Sequence, residues 1–458
     1  MKSVKKDKLT ITSGVHNWEV IQQSNGKADI YLEGTFIEDF NDDTEQDLPF
    51  SQSNIYARIV KEDDGSAITP LLQINSFNDT WNITIKDIPC GGPYMTDFVI
   101  LDIENHVEYP VRGERRRHFC VGDNYLVAGQ SNAAGMGKGV MSEPPETGIH
   151  ILRNLESWDI ATQPFNDYDY SKYSMFMTFA KKVKKECGYP IGLIPAAMGG
   201  AGISRFIPDE CGDLYEKMAD ATFRKGIGIR AVLWYQGCSD AGLGETEEGY
   251  ICRFEKFVNS VRKDFEKSNL PIFTFQLNRQ IIKATNENLD NGYDAIREAQ
   301  RIAAKKIPNV YVLPAIDATI MSDFIHSSKA SNMMLGERLA SSVLYNIYGI
   351  GMNISAPDIF GAKLNDEKTV VLEFANVVGF LDTFNVGYDK LPFTVEDDKG
   401  RNEITDYRLK QNIIELILKR PCVGNVFVSG QSGTDPKNII IDFYTQLPML
   451  CFKKFTVL

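Results

Sequence analysis

The sequence predicts an α/β fold in which a doubly wound parallel sheet lies between two β-sandwich domains. Residues 1–118 contain short β-rich runs and turns, with no helical periodicity of useful length. Across residues 119–350, short apolar runs alternate with helical patterns, which is typical of βαβ units around a parallel sheet. In residues 351–458 the helical patterns stop and short β-rich runs return. We therefore expect three domains with these limits.

In the N-terminal domain, alternating apolar runs are separated by turn signals such as Asn25-Gly26 and Asp64-Gly65. These runs predict strands at residues 28–36, 55–60, 71–75, 81–85 and 98–103. In the C-terminal domain, the same kind of pattern predicts strands at residues 369–374, 393–396, 413–418, 426–428 and 439–444.

The central domain opens with the apolar run 124–128, which is typical of a strand buried on both faces. The segments that follow predict four further strands, at residues 191–196, 231–235, 271–277 and 310–313. They also predict helices at residues 173–186, 214–224, 250–267, 293–306 and 334–347.

Charge and composition exclude several classes of partner. The 458 residues carry 49 basic and 61 acidic side chains, for a formal net charge of −12. Nucleic acids and anionic membranes favour a basic surface, so we expect neither as a partner. Residues 1–8 are charged and lack the apolar core of a signal peptide. We expect a cytoplasmic protein, unless a leader has been removed. The sequence leaves open whether the protein forms a homo-oligomer.

The cysteines indicate neither a disulfide framework nor a zinc site. Eight are scattered along the chain without a C-x-x-C pair. No cluster of histidine, cysteine and acidic residues has metal-ligand spacing. We expect free thiols and no metal or organic cofactor.

Polar or small residues follow four strands of the predicted central sheet. In an open α/β sheet, ligands bind beyond the carboxyl ends of the strands. The clusters are Gly129-Gln130-Ser131-Asn132, Gly199-Gly200-Ala201-Gly202, Gln236-Gly237-Cys238-Ser239-Asp240 and Asp323-Phe324-Ile325-His326. Together they offer a nucleophile, a base with an orienting acid, and donors for an oxyanion, which are the requirements of acyl transfer.

Each candidate also has a structural interpretation. Ser131, at a strand-to-helix turn, could equally be a helix N-cap. The Gly199–Gly202 turn could serve positive φ angles alone, and Gln236 could be a buried amide bonded to the backbone. His326 is the stronger candidate, because it follows a core strand with Asp323 three residues before it. Cys238 is the weaker nucleophile, because no basic residue beside it would lower the pKa of its thiol.

These motifs resemble the SGNH hydrolases, specifically the carbohydrate esterases that include sialate O-acetylesterases and acetylxylan esterases. The blocks of that family are matched in order by YLVAGQSN at 125–132, IGLIPAAMGG at 191–200, VLWYQGCSD at 232–240, IREAQ at 296–300 and DFIH at 323–326. WNITIKDIPCGGPY at 81–94 is similar to the β-sandwich that precedes the catalytic domain in these proteins. Two positions depart from the family: Cys238 stands where Glu is usual, and Ala133 where Met is frequent.

The resemblance implies a role for each residue at the site. Ser131 would be the nucleophile, His326 the base and Asp323 its orienting acid. Ser131 and Gly200 would supply oxyanion donors, with Gln236 as the third donor and Ser239 as its rival. The remaining site residues, Gln130, Asn132 and Gly199, are expected to contact the substrate.

The function that follows is a carbohydrate O-acetylesterase, a serine hydrolase that removes acetyl groups from sugars or oligosaccharides without a cofactor. Two alternatives stay open: a carbohydrate-binding protein without catalysis, and an esterase for a non-carbohydrate ester. The intact Ser131, Asp323 and His326 argue against the first. The motifs do not identify the sugar.

Overall fold

The structure is a computed structural model that describes residues 7–38, 55–139, 143–166, 172–281, 286–384 and 391–458. Its N-terminal part is built from strands alone within these residues. They are β1 (Asp7–Gly14), β2 (Val20–Gln22), β3 (Lys27–Glu38), β4 (Ile55–Lys61), β5 (Leu72–Gln73), β6 (Asn75–Phe77), β7 (Thr80–Pro89), β8 (Gly91–Asp102) and β9 (Val107–Pro110).

Two groups of these strands enclose one hydrophobic cluster. The first is a sheet in the order β1-β3-β7-β6, and the second joins β4 with β5 and β8, and β8 with β9. Burial alternates along β7, so that Trp81, Ile83 and Ile85 face the cluster while the residues between them face solvent. Phe98 of β8 enters the same cluster from the second group.

The central part alternates strands and helices. The strands are β10 (Phe119–Gly129), β11 (Ile149–Arg153), β12 (Ser157–Ile160), β13 (Ile191–Pro195), β14 (Ala231–Tyr235), β15 (Ile272–Phe275) and β16 (Val310–Leu313). The helices are α1 (Ser131–Ala134), α2 (Met175–Cys187), α3 (Asp213–Ala221), α4 (Cys238–Leu243), α5 (Glu247–Asp264), α6 (Glu287–Lys306) and α7 (Lys329–Val343). Two 3₁₀ segments (Ile203–Phe206 and Phe223–Lys225) and one π-helical turn (Leu344–Tyr348) complete it.

The central sheet runs in the order β12-β11-β13-β10-β14-β15-β16 and is parallel except for β12. From β10 the chain goes outward to β11 and β12, comes back to β13 on one side of β10, and then crosses to β14 on the other side. This reversal makes the carboxyl end of β10 the topological switch point, where open α/β sheets bind their ligands. All five helices predicted for this region overlap observed ones, whereas β11, β12 and α4 were not predicted.

Strand β10 begins directly at the boundary expected between the first two domains and belongs to both of their sheets. Its first residues pair with β2 and β8 of the N-terminal part, and its later residues pair with β13 and β14. Phe119 and Val121 belong to the N-terminal hydrophobic cluster, whereas Tyr125 and Val127 belong to the central one. The chain therefore passes from one part to the next within a single buried strand, with no linker between them.

The C-terminal part is again built from strands. They are β17 (Asp358–Asp366), β18 (Thr369–Ala375), β19 (Leu381–Thr383), β20 (Phe393–Asp397), β21 (Gly400–Asn402), β22 (Ile404–Lys410), β23 (Ile413–Leu418), β24 (Val426–Gly430), β25 (Ile440–Asp442) and β26 (Phe452–Val457). Two four-stranded sheets, β17-β18-β23-β22 and β21-β20-β24-β26, share one hydrophobic cluster, and β19 pairs with β25.

This C-terminal part is attached to the central sheet by buried polar contacts. Gln276, directly after β15, donates to the carbonyl of Cys451 at 2.9 Å and accepts from its N–H at 2.8 Å. Arg301 of α6 pairs with Glu298 and, across the interface, with Asp358 at 3.0 Å. The Arg301 side chain is only 3 % exposed, so water cannot stabilise its positive charge. The two carboxylates compensate this buried charge instead.

In the described residues, no helix combines the length and apolar character needed to cross a bilayer.

Candidate active site

The end of β10 is shaped by a close approach between two strands. Gly129 has φ +129°, and a Cβ at this position would lie 2.3 Å from the carbonyl oxygen of Tyr235 at the end of β14. The N–H of Gln130 donates to that same carbonyl at 3.0 Å. Only glycine fits this contact, and the chain then turns directly into α1 with Ser131 as its first residue.

Ser131 is not the cap of this helix. Gln130 occupies the N-cap position, and its carbonyl accepts from the N–H groups of Ala133 and Ala134 at 2.9 Å. The Ser131 hydroxyl is therefore not needed to cap the N-terminus of the helix. Ser131 lines a pocket instead. The N-cap interpretation does not describe Ser131 in this structure.

The glycine turn after β13 is joined to the end of β10. The N–H of Met198 donates to the carbonyl of Gly129 at 3.0 Å, which brings the turn alongside Ser131. Gly200 has φ +71°, in the left-handed region that favours glycine. Gly199 and Gly200 both line the pocket that contains Ser131.

Gln236 holds this turn but does not face the pocket. It is fully buried, and its Nε2 donates to the carbonyl of Ala201 at 3.0 Å and to the carboxylate of Asp240. Its Oε1 accepts from the hydroxyl of Tyr250 at 2.9 Å. Both amide hydrogens are thus engaged, so this arrangement offers no hydrogen of Gln236 to a ligand.

Asp240 supports the same turn. Its carboxylate accepts from the N–H of Ile203 at 3.2 Å as well as from Gln236. Burial raises the pKa of Asp240, although these hydrogen bonds oppose the shift.

The expected substrate contacts divide into two groups. Gln130 and Gly199 line the pocket. Gln130 also has an anchoring role, since its Oε1 accepts from the N–H of Gly237 at 2.9 Å and of Ser239 at 3.3 Å. Asn132 is buried behind the pocket, where its Oδ1 accepts from the N–H of Ser327 at 3.2 Å.

Asp323 and His326 are joined as the sequence predicts. His326 Nδ1 lies 3.1 Å from Asp323 Oδ2, and the His326 N–H donates to Asp323 Oδ1 at 3.1 Å. Partial burial would raise the pKa of Asp323, but the hydrogen bonds from the His326 ring and backbone outweigh it, so the pKa is lowered. The carboxylate therefore stays ionised, and Nδ1 is held by its contact with it.

Ser131 and His326 meet in one pocket of about 380 Å³. Its lining consists of Gln130, Ser131, Met136, Gly199, Gly200, Cys238, Ser239, Ile325 and His326. Met136 and Ile325 supply an apolar surface, while the other residues supply hydroxyl, thiol, amide and imidazole groups or bare backbone. The pocket thus joins a hydroxyl, an imidazole bound to a carboxylate, and a glycine turn.

Cys238 lies in the same lining at the first position of α4. Burial raises the pKa of its thiol to about 11, so that the unreactive thiol form dominates near neutral pH.

The sequence analysis missed Asn278, which holds the segment containing His326. It is fully buried after β15, and its Nδ2 donates to the carbonyl of Ile325 at 3.1 Å and to the hydroxyl of Ser327 at 3.1 Å. Ser327 is therefore bound by Asn132 on one side and Asn278 on the other. Gln276 lies near the end of the predicted strand 271–277 and Asn278 follows it, and this pair of polar residues could have identified a fifth cluster at the sheet edge.

The neighbours of Asn278 are fixed in turn by the C-terminal part. The N–H of Gln280 donates to the carbonyl of Thr434 at 2.9 Å, and Arg279 pairs with Asp435 at 3.4 Å. No sequence signal pointed to these contacts, because the two segments lie more than 150 positions apart.

The described residues contain no group of three or more histidine, cysteine or acidic side chains arranged to hold a metal ion. The eight cysteines, all within the described ranges, are free.

Residues 121–345 match a known protein family, which is described as "Carbohydrate esterase, sialic acid-specific acetylesterase". A probable carbohydrate esterase from Arabidopsis thaliana is 32 % identical over 249 residues, which cover 48 % of this chain and 90 % of the plant protein.

A solved structure resembles the chain over nearly its whole length. It is a carbohydrate acetylesterase from Xanthomonas citri, with a TM-score of 0.65 and 19 % identity, covering 97 % of this chain and 99 % of that one. At this identity the likeness concerns the fold alone. It includes the β-rich parts on both sides of the central sheet.

Cys238 should resist alkylation, because its thiol has a pKa of about 11 and is almost fully enclosed. With iodoacetamide at pH 8, we expect the exposed Cys211 and Cys252 to be labelled first, as followed by mass spectrometry. Cys238→Ser should keep most of the esterase activity. Inactivation that parallels labelling of Cys238, and that substrate prevents, would contradict this and make the thiol the nucleophile.

Asn278→Ala should lower kcat, because Ile325 and Ser327 on both sides of His326 lose their shared donor. A small misplacement of a catalytic group costs up to ~10²-fold in rate. Turnover of p-nitrophenyl acetate and the thermal midpoint should be measured together, with Asn365→Ala, at an exposed position of β17, as control. An unchanged kcat at an unchanged thermal midpoint would show that Asn278 does not position the histidine.

Proposed function

The chain belongs to the carbohydrate-esterase family of sialic acid-specific acetylesterases, and we propose that it is a serine hydrolase that removes O-acetyl groups from sugars or oligosaccharides. As a member of this family it is an esterase. The observation that carries the proposed mechanism is the shared pocket of Ser131 and His326, with His326 bound to Asp323.

In the proposed reaction, Ser131 Oγ attacks the acetyl carbonyl carbon. His326 accepts the serine proton, for which its ring must be neutral, and Asp323 orients the ring through Nδ1 and stabilises the imidazolium that forms. His326 then passes the proton to the sugar oxygen as the ester bond breaks. Water hydrolyses the acetyl-enzyme by the same steps in reverse order.

We assign the oxyanion donors to the backbone N–H groups of Ser131 and Gly200, with the hydroxyl of Ser239 as the third donor. Ser239 lines the pocket, whereas the amide of Gln236 is engaged by Ala201 and Asp240. Gln236 is in this view a positioning residue that holds the glycine turn. Its contribution to the rate would come through the placement of Gly200.

The substrate proposed is an acetylated carbohydrate. Met136 and Ile325 offer an apolar surface beside Ser131 that suits the acetyl methyl group. Gln130 and Gly199 line the pocket, so we keep them as substrate contacts, whereas we propose a positioning role for Asn132.

The eight free thiols support a reducing, cytoplasmic compartment.

We propose the domain limits 1–118, 119–350 and 351–458, with an SGNH-type doubly wound sheet flanked by two β-sandwiches. The three largest hydrophobic clusters support this division, while a small fourth cluster joins Ile316 of the central part to residues of the C-terminal part. The first limit lies at the start of β10, and the change from the first cluster to the second follows within that strand, between Val121 and Tyr125.

Ser131→Ala should abolish hydrolysis of p-nitrophenyl acetate and of acetylated sugars, because the nucleophile is removed. The thermal midpoint should stay close to that of the wild type, since the hydroxyl is not the helix cap. Release of acetate from acetylated sialic acid, xylo- and manno-oligosaccharides, followed by mass spectrometry, would identify the sugar. Hydrolysis of p-nitrophenyl acetate alone would favour a non-carbohydrate ester. A folded wild-type protein that only binds the sugars would favour a binding function.

Asp323→Asn should lower kcat, because Asn cannot stabilise the imidazolium and can hold the wrong tautomer. The loss of such an acid costs up to ~10⁴-fold. Because hydrogen bonds from His326 lower the pKa of Asp323, its carboxylate should stay ionised near neutral pH, and its own titration should not limit kcat/KM of the wild type there. A pH profile of the variant that equals the wild type in rate and midpoint would require another orienting acid.

Ser239→Ala should lower kcat more than it changes KM, because an oxyanion donor acts in the transition state. One such donor is typically worth ~10²–10³ in rate. Gln236→Ala, the matched control, should lower the thermal midpoint, because Ala201 and Asp240 lose a buried partner. If Gln236→Ala lost kcat at an unchanged thermal midpoint while Ser239→Ala did not, the third donor would be Gln236.

A further inference from the structure

A second cavity, larger than the Ser131 pocket, lies in the C-terminal part of the chain. It has a volume of about 970 Å³ and is lined by residues of β20, β21 and β22 and of the segment 432–438. Small-molecule sites typically measure ~300–1,000 Å³. None of its lining residues belongs to the catalytic pocket. We call this cavity the C-terminal cleft.

One side of the cleft is fixed by a buried framework. Asn402, only 2 % exposed, donates from Nδ2 to the carbonyl of Arg420 at 2.9 Å. The guanidinium of Arg420 binds both carboxylate oxygens of Asp397 at the end of β20. These contacts tie β20 and β21 together beneath the cleft.

The opposite side is fixed to helix α6 of the central part. The N–H of Gly433 donates to Asp294 at 2.7 Å, and the N–H of Thr434 donates to Asp290 at 2.7 Å. The Thr434 hydroxyl also donates to Asp290, at 2.8 Å. Both sides are therefore formed before any ligand arrives, which lowers the ordering cost of binding.

The chemistry of the lining suits a neutral, polyhydroxylated ligand. The cleft contains two basic and two acidic side chains, so their formal charges cancel. Among the uncharged polar side chains of the lining, Asn402, Thr405 and Asn438 already bond to the protein. The hydroxyls of Thr394 and Ser432 are the aliphatic groups of the lining that can donate to and accept from a ligand. Tyr407 is half-buried: part of its side chain packs against the C-terminal hydrophobic cluster, and the part that lines the cleft offers ring surface for the C–H groups of a sugar beside a polar hydroxyl.

The cleft is also connected to the frame of the active site. Ser432 lines the cleft, while the next two residues, Gly433 and Thr434, bind α6. Thr434 and Asp435 also hold Gln280 and Arg279, which follow Asn278. One short segment thus borders the cleft on one side and supports the histidine segment on the other.

We propose that the C-terminal cleft binds a neutral oligosaccharide and so retains the acetylated chain on the enzyme. This inference rests on the proposed carbohydrate substrate. Binding at two places on one chain raises the effective concentration of the acetyl groups at Ser131. The cleft should therefore affect KM for long substrates and leave the chemical step unchanged.

The test uses the full-length protein with Tyr407→Ala. Its thermal midpoint and its hydrolysis of p-nitrophenyl acetate are compared with the wild type, because Tyr407 also packs against the C-terminal hydrophobic cluster. Isothermal titration calorimetry with unacetylated xylohexaose, mannohexaose and cellohexaose measures binding without turnover. We expect at least one of them to bind the wild type saturably. The variant should bind it ~10-fold more weakly, the effect of losing one aromatic contact. KM for the corresponding acetylated hexasaccharide should rise, whereas kcat and the hydrolysis of p-nitrophenyl acetate should not change.

Arg408→Ala is the matched control. Arg408 is the next residue of β22, on the opposite face of the strand, outside the cleft lining and paired with Glu415. It should leave both the affinity and KM unchanged. Failure of all three hexasaccharides to bind the wild type, or equal affinity and KM in Tyr407→Ala and the wild type, would overturn the proposal. Neither result would contradict the proposed esterase function. That function is tested separately, by the effect of Ser131→Ala on the hydrolysis of p-nitrophenyl acetate.

Discussion

Strand β10 is the constraint on which the rest of the molecule depends. Eleven residues, Phe119–Gly129, are all buried, and they pair with strands of the N-terminal part at one end and with the central sheet at the other. The strand ends at Gly129, where the absence of a side chain lets the Tyr235 carbonyl approach. Ser131 follows at the switch point of the sheet. The position of the proposed nucleophile is thus fixed by two hydrophobic cores at once.

The proposed catalytic pocket is held by side chains whose hydrogen bonds go to neighbouring turns. Gln130 binds the turn after β14, and Gln236 with Asp240 binds the glycine turn after β13. Asn132 and Asn278 hold the residue after His326. Four turns from distant parts of the chain are thereby locked to one another. This rigidity matters for catalysis, because donors placed before the reaction need no reorganisation when charge develops.

The C-terminal part also supports the candidate active site. The plant relative matches 249 residues, and these make up 90 % of its length, so nearly all of that protein corresponds to about half of this chain. Here the segment 276–280 is bonded to Cys451, Thr434 and Asp435 of the C-terminal part. The same segment carries Asn278. The support of the histidine therefore includes contacts from residues beyond position 430.

The sequence by itself determined five of the seven central strands, the five long central helices and most of the chemical groups. Apolar periodicity and short motifs are local, so the five central helices and the placement of Ser131, Gly200 and Asp323-x-x-His326 at strand ends could be predicted. The hydrogen-bond partners of Gln236 could not be predicted. The same sequence would allow an amide after a strand to face either a ligand or the backbone. Asn278 and Asp435 were missed for a related reason. Their partners lie far away in the chain, and only the packing of three hydrophobic clusters brings them together.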